Sequence, residues 1–399
     1  MAISGSARNS GLHHMASEAK IGQTHIVLVG GGHAHVEVLR RFRQRPEPSI
    51  RITLITRAPE TPYSGMVPGF VAGHYARSDI NIRTDRLAGF DGCAALFGGV
   101  IRLDAGTCQV FLEDGRAVTG DIVSIDVGAV TDLSDAPHRG GQLVSVKPMD
   151  EFEKIWPSVE QRMKSEPGIQ IAVVGAGAAG VELALAIRHR LQQLKEVADS
   201  TARVVLLEQN DRILGSFSDK VRDRLTHILS KNGVEIQTGF QGFNNGSALD
   251  TFGVLIWAAG VSPASWLSNS GLAVDADGFI AVNRCLQSIS HSCIFAVGDA
   301  AGMVETPRPK SGVMAVRQGP VLAENILRSA RNLPLKSFSP QKEWLSLIST
   351  GDRYAVASRG NWSAEGRWVW WWKNWLDTRF IGRFSVQASL ADLPDFGTP

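Results

Sequence analysis

Cysteine is scarce, with four in 399 residues, and the four are poorly spaced for joint chemistry. Cys93, Cys108, Cys285 and Cys293 form no C-x-x-C or C-x4-C pair. That argues against a dithiol centre of the disulfide-reductase kind and leaves them as small buried apolar residues. Charge of one sign is lacking too: 41 basic against 39 acidic residues give a formal net charge of +2, so no global field points to nucleic acid. No apolar run reaches the ~18 residues that a membrane-spanning helix needs. The first twenty residues are small, polar and His-containing, without an apolar signal core. Residues 1–22 are expected to be a disordered extension, with Met15 as an alternative start or the end of a tag remnant. No metal is expected: His33 and His35 stand two apart at a helix start, where side chains do not face each other, and no Cys or carboxylate cluster accompanies them.

Glycine is plentiful, at 41 residues, and part of it forms two dinucleotide fingerprints. Gly30-Gly31-Gly32 follow an apolar, β-branched run at 24–29 and precede a helical pattern at 36–43. Gly175-Ala176-Gly177-Ala178-Ala179-Gly180 follow a second apolar run at 169–174 and open a helix at 181–191. Glycine there lets backbone amides approach a pyrophosphate, and the helix N-terminus adds free N–H groups and a favourable dipole. The first fingerprint departs from the usual pattern. His35 takes the place of the third glycine, and Arg57 ends the next strand where an acid often holds a ribose hydroxyl. The second keeps all three glycines, puts Glu182 in the first turn of its helix and ends its next strand on Glu208. An acid at 208 accepts both ribose hydroxyls and repels a 2′-phosphate, which favours NADH over NADPH. Arg212 close by keeps the phosphate alternative open.

Length and a 44% apolar composition predict two or three domains with real cores. Strands at 109–112 and 117–125 flank an Asp114-Gly115 turn and read as a hairpin. Asp126-Val127-Gly128 then leads into a Pro- and Gly-containing crossover at 131–141, and Ala258-Ala259-Gly260 repeats that step after the second fingerprint. A last buried strand at 294–297 delivers Gly298-Asp299.

This ordered set resembles the two-dinucleotide-binding-domain flavoproteins of the pyridine nucleotide-disulfide oxidoreductase superfamily, over roughly residues 24–385. Residues 30–36, 61–69, 146–148 and 316–320 are further similar to the flavoprotein module fused to selenophosphate synthetase, a subgroup in which His35 is the expected residue. The resemblance implies an α/β fold. Two Rossmann-like FAD/NAD(P)-binding domains of three-layer ββα type would be joined by a small C-terminal α+β region with a Trp-rich helix. The division implied is an FAD-binding domain at 23–135 with 286–335, an NAD(H)-binding domain at 136–285, and an interface or membrane-surface region at 336–399. By similarity Gly30, Gly32, His33, Arg57, Gly128, Lys147 and Asp299 would surround FAD, Lys147 having a plain linker role as its alternative. Gly175, Gly177, Gly180, Glu208 and Gly260 would hold NADH. The helix beginning near Gly312 would aim its N-terminus at the flavin, with Pro320 kinking it. Glu182 would sit near the nicotinamide, or serve only as a helix-start acid favoured by the dipole.

The C-terminal segment bears on the electron acceptor. Residues 345–351 and 354–357 read as two strands, and Gly366 opens a helix in which Trp368, Trp371, Trp372 and Trp375 recur at helical spacing, opposite Lys373, Asn374, Asp377 and Thr378. Such a stripe fits a membrane–water boundary, or packing on the flavin domain or on a second subunit. The tail resembles that of type II NADH:quinone oxidoreductases, which carry two glutamines four residues apart beside the quinone. Gln318 matches the second, and Met314 stands in place of the first. The expected function is hydride transfer from NADH to FAD and on to a quinone-like acceptor, with Glu182 and Gln318 as catalytic candidates. A cytoplasmic location, peripheral on the inner face of a membrane, goes with it. Sulfur- or selenium-linked flavin chemistry, a soluble protein acceptor, a non-enzymatic FAD/NAD-binding partner role and a homodimer stay open.

Overall fold

The computed structural model describes residues 22–136, 141–194, 201–241 and 248–385. The N-terminal extension, apart from Gly22, and the tail beyond 385 lie outside the described residues. Two five-stranded sheets, each parallel throughout, organise the chain. The first runs in the order Ile294–Ala296, Ile122–Ile125, Thr24–Val29, Ile50–Thr56, Cys93–Phe97. The second runs Gln142–Ser145, Val254–Trp257, Gln170–Val174, Arg203–Leu207, Val234–Gln237. Central strands such as Thr24–Val29 are almost continuously apolar because both faces of a parallel sheet are covered. The first sheet packs helices His33–Gln44 and Gly312–Ala330 on one face and a three-stranded antiparallel meander, Val100–Asp104, Gln109–Leu112 and Ala117–Thr119, toward the other. Pro320 lies inside the Gly312–Ala330 helix, which continues through it.

One expected strand is two. The run 117–125 breaks at Gly120-Asp121: Ala117–Thr119 pairs with the meander, and Ile122–Ile125 enters the parallel sheet beside Thr24–Val29. Asp121 supports the break, its carboxylate accepting the His25 N–H at 2.7 Å. The C-terminal hairpin gains a third strand, so Ser346–Thr350, Asp352–Arg359 and Trp362–Gly366 form an antiparallel sheet capped by the helix Arg367–Gly382. Ile348 and Val356 join the core of the second unit, seating this sheet against the second-fingerprint helix Ala178–Gln193.

Candidate functional site

Strand Thr24–Val29 ends on the glycine turn, and His33–Gln44 starts with Gly32 at its N-cap, which has no side chain to cap with. A carboxylate from the neighbouring strand end serves instead: Asp126 accepts the N–H groups of Ala34 and His35 at 2.9 and 3.0 Å. Its position demands glycine around it, since a Cβ on Gly32 would lie 2.3 Å from the Asp126 carboxyl carbon, and one on Gly298 2.7 Å from its oxygen. Burial raises the Asp126 carboxyl to about 6, against the opposing pull of the His35 and Ala34 N–H groups and His33. His35 fills the third-glycine position as a fully buried imidazole, Nδ1 2.7 Å from the Gly30 carbonyl and Nε2 2.8 Å from Ser124 Oγ. Burial holds it neutral, down to about 4.

The second cradle brings its helix onto the turn by close approach. A Cβ on Gly180 would fall 1.8 Å from the Gly175 carbonyl oxygen, so helix Ala178–Gln193 rests directly on the turn. Glu208 accepts the Ala176 N–H at 2.8 Å with one oxygen and the Asn210 backbone and side-chain N–H groups with the other.

Both cradles open on one cavity of about 810 Å3, a size typical of cofactor sites. Gly30, Gly32 and His33 line it from the first, and Gly177, Gly180 and Glu182 from the second, with Gly128 and Gly260 on the two crossovers between them. At Gly128 and Gly177 a Cβ would meet nothing within 4 Å and would project into open space. Those bare backbone positions beside two helix N-termini fit a bound dinucleotide. Lys147 and Asp299 also line the cavity, tied to each other at 2.6 Å. Arg57 sits at the rim, 45% exposed, and pairs with Asp150 and Glu151 from the first turn of helix Met149–Ser165. Gly175 and Glu208 stand behind the lining. Gln318 is not brought to the cavity: it is buried, its Oε1 accepts the Gly298 N–H at 2.7 Å, and its Nε2 faces Met303 Sδ.

The sequence pattern of the pyridine nucleotide-disulphide oxidoreductases matches residues 24–319, which takes in both cradles and the Gly298-Asp299 turn. The chain belongs to that family. Among similar proteins, this oxidoreductase is 23% identical over 298 residues to the NADH dehydrogenase-like protein YutJ of Bacillus subtilis (strain 168), covering 71% of this chain and 78% of that one. It is 26% identical over 219 residues to the type II NADH:quinone oxidoreductase of Haemophilus influenzae, covering 51% of this chain and 49% of the relative. Its fold is shared with NDH2 from Plasmodium falciparum, with a TM-score of 0.72 at 14% identity over 91% of this chain and 97% of that one. The sulfide:quinone oxidoreductase of Aquifex aeolicus gives 0.71 at 16% identity over 90% and 91%.

Within this family member, Glu182 is half-buried in the cavity wall and accepts both the backbone N–H and the hydroxyl of Ser349 at 2.8 Å. Burial raises its carboxyl above the usual range, with Lys373 and Ser349 pulling the other way. Lys373 reaches that spot from the C-terminal helix, donating to the Gly65 carbonyl and to Asp377, each at 2.6 Å. Burial opposes its charge, yet Asp377 and Glu182 together hold it above the ordinary lysine value. The helix Arg367–Gly382 is therefore turned the other way from a simple amphipathic reading. Lys373 and Asp377 face inward with Val369 and Phe380, while Trp368, Trp371 and Trp375 are 56%, 53% and 51% exposed. Trp370, at 6%, packs inward edge-on to His74. The physical cause is the set of partners waiting inside: the Gly65 carbonyl, Glu182, and Tyr75, whose hydroxyl donates to Asn374.

Asp126 was missed as a site residue by sequence reasoning. Its signal was the internal echo: register puts Ile125 beside Val29 and Trp257 beside Val174, so Asp126 stands where the second unit has Ala258. Lys373 was missed because its spacing placed it on a polar face, and nothing local says which face of a helix meets protein.

Proposed function

We propose that this chain is an FAD-dependent NADH oxidoreductase that passes electrons to a quinone-like acceptor at a membrane surface. The observation that carries this reading is the single cavity joining two glycine cradles, one for each dinucleotide. Bound FAD would take up a hydride from NADH and hand two electrons to the acceptor. Gly30, Gly32, His33 and Gly128 hold the flavin dinucleotide by backbone approach, with Asp299 and Lys147 as its polar contacts and Arg57 at the rim. Gly177, Gly180 and Gly260 position NADH, and Gly175 and Glu208 shape its turn from behind. Glu182 lines the wall beside the second cradle, where burial raises its carboxyl and its Oε1 accepts from Ser349. Gln318 acts as a positioning residue, fixing the loop that carries Asp299 through the Gly298 N–H.

The acceptor rests on the kinship with NADH:quinone oxidoreductases and on the outward tryptophans, which suit a lipid headgroup boundary. No helix among the described residues is long and apolar enough to cross a membrane. The sulfur- or selenium-linked alternative needs a thiol at the cavity, and among the described residues no cysteine lines it. Anaerobic mixing with NADH should bleach the flavin band, and a soluble quinone should restore it. Absence of bleaching rejects the donor; bleaching without recovery rejects the acceptor. Replacing Trp368, Trp371 and Trp375 together with Ser should weaken sedimentation with anionic vesicles by roughly tenfold or more while leaving the bleaching intact. Unchanged sedimentation removes the membrane surface from the proposal.

A further inference from the structure

Away from the cavity, two cysteines separated by 185 positions meet in space. Cys108 lies in the turn between strands Val100–Asp104 and Gln109–Leu112 of the meander. Cys293 immediately precedes Ile294–Ala296, the edge strand of the first sheet that leads to Gly298 and Asp299. Their Sγ atoms are 2.6 Å apart, the Cys108 side buried and the Cys293 side half-buried. The approach is held from behind by one short stretch of chain. The Gly120 N–H donates to the Cys108 carbonyl at 3.1 Å, and the Val123 N–H donates to the Cys293 carbonyl at 3.0 Å. Neither sulfur lines the cavity, so the pair is separate from any flavin-linked chemistry.

We propose that Cys108 and Cys293 form a disulfide when the protein meets a hydroperoxide, a covalent cross-link that pins the returning segment of the first unit to its meander. The more exposed Cys293 sulfur attacks the peroxide and takes one oxygen as a sulfenic acid, and the other oxygen leaves as an alcohol or water. Cys108 then displaces the sulfenic oxygen as water, carrying its thiol proton with it. Two S–H bonds and one O–O bond break, and one S–S bond and two O–H bonds form; each sulfur gives up one electron and the peroxide gains two. Burial and the Cys293 thiol push the Cys108 thiol up to about 12, which suits it to the second step rather than the first. Between the two cysteines the chain leaves for the whole second sheet and comes back. The bond therefore closes the first unit on itself and fixes the strand that leads to Asp299.

The test uses flavin-loaded protein, first reduced with dithiothreitol, freed of it, and then treated with hydrogen peroxide. Thiols counted after denaturation should fall from the four in the sequence to two, with a peptide linking Cys108 to Cys293. A Cys93→Ala/Cys285→Ala variant should still lose both of its thiols, and Cys293→Ala should keep all three of its own. Four surviving thiols, a sulfinic acid on Cys293 alone, or a link through Cys93 or Cys285 would overturn the assignment. The pinning rests on the FAD reading above and has its own measurement: flavin release in mild denaturant should slow by roughly threefold or more on oxidation, and Cys293→Ala should abolish the difference. Equal release rates with the linked peptide present would overturn the pinning alone, and the thiol count does not depend on whether flavin is the ligand.

Discussion

The two cradles share a backbone and differ in what fills it. In the second, the helix sits on the turn because Gly180 has no side chain, and the strand Val254–Trp257 is followed by Ala258, which has no carboxylate to offer the helix. In the first, an imidazole and a carboxylate occupy the same two places: His35 bonds the Gly30 carbonyl, and Asp126 takes the amides of Ala34 and His35. A glycine fingerprint is thus a steric solution to bringing a helix N-terminus near a turn, and hydrogen bonding is another. The cost of the second solution is a buried acid beside an anion-binding helix end, where burial already raises its carboxyl.

The comparison breaks most severely at the third position. Gly180→Val places carbon on the Gly175 carbonyl, so the second helix must move away. NADH-driven flavin bleaching should fall by about 100-fold or more in rapid mixing, with FAD still bound; unchanged bleaching would mean that the second cradle does not hold NADH. The mirror experiment, His35→Gly, restores the common pattern to the first cradle and should nevertheless harm it. It removes two buried hydrogen bonds, leaves a void and adds glycine to a helix, for a loss of about 2–4 kcal/mol in denaturant unfolding. A neutral or stabilised variant would show that the imidazole is filler rather than a substitute for glycine packing.

Asp126→Asn sharpens the electrostatic half of the contrast. The carboxyl is raised from 3.8 to about 6 in the folded protein. Its contribution to stability is thus fully present below about pH 4 and is lost as pH rises through about 6. Asparagine does not titrate, so wild-type apoprotein should lose about 2–3 kcal/mol relative to the variant between about pH 4 and 7. Parallel pH profiles in urea unfolding would show that the Ala34 and His35 amides compensate the burial fully.

Much of this was legible in the sequence because it is local and periodic. Both strand–glycine–helix units, the Asp114-Gly115 hairpin and the Gly298-Asp299 turn are set by short-range patterns. What escaped was tertiary. The break at Gly120-Asp121 depends on the His25 amide, a partner far away in sequence. The inward turn of Lys373 and Asp377 depends on Gly65 and Glu182. Gln318 had the right spacing for an acceptor site, yet its amide is engaged by Gly298. The meeting of Cys108 with Cys293 follows from a chain that leaves the first sheet and returns, which no count of cysteine spacings reveals.

The smallest expected effect lies at the strand ends, where the units differ by Glu208 against Arg57. Arg57 is drawn to Asp150 and Glu151 across the cavity rim, whereas Glu208 is tied to its own turn through Ala176 and Asn210. Part of the acid's hydrogen-bonding capacity is thereby used in holding the turn, and on the proposed reading an adenosine ribose would meet the remainder. Glu208→Gln keeps an acceptor for the hydroxyls but removes the charge that repels a 2′-phosphate. NADH should therefore lose little, by about threefold in the concentration giving half-maximal bleaching rate, while NADPH gains, so that their ratio shifts by about tenfold, or ~1.4 kcal/mol. If both nucleotides weaken together, Glu208 acts through the turn it braces rather than through its charge, and selectivity must be sought at Arg212 instead.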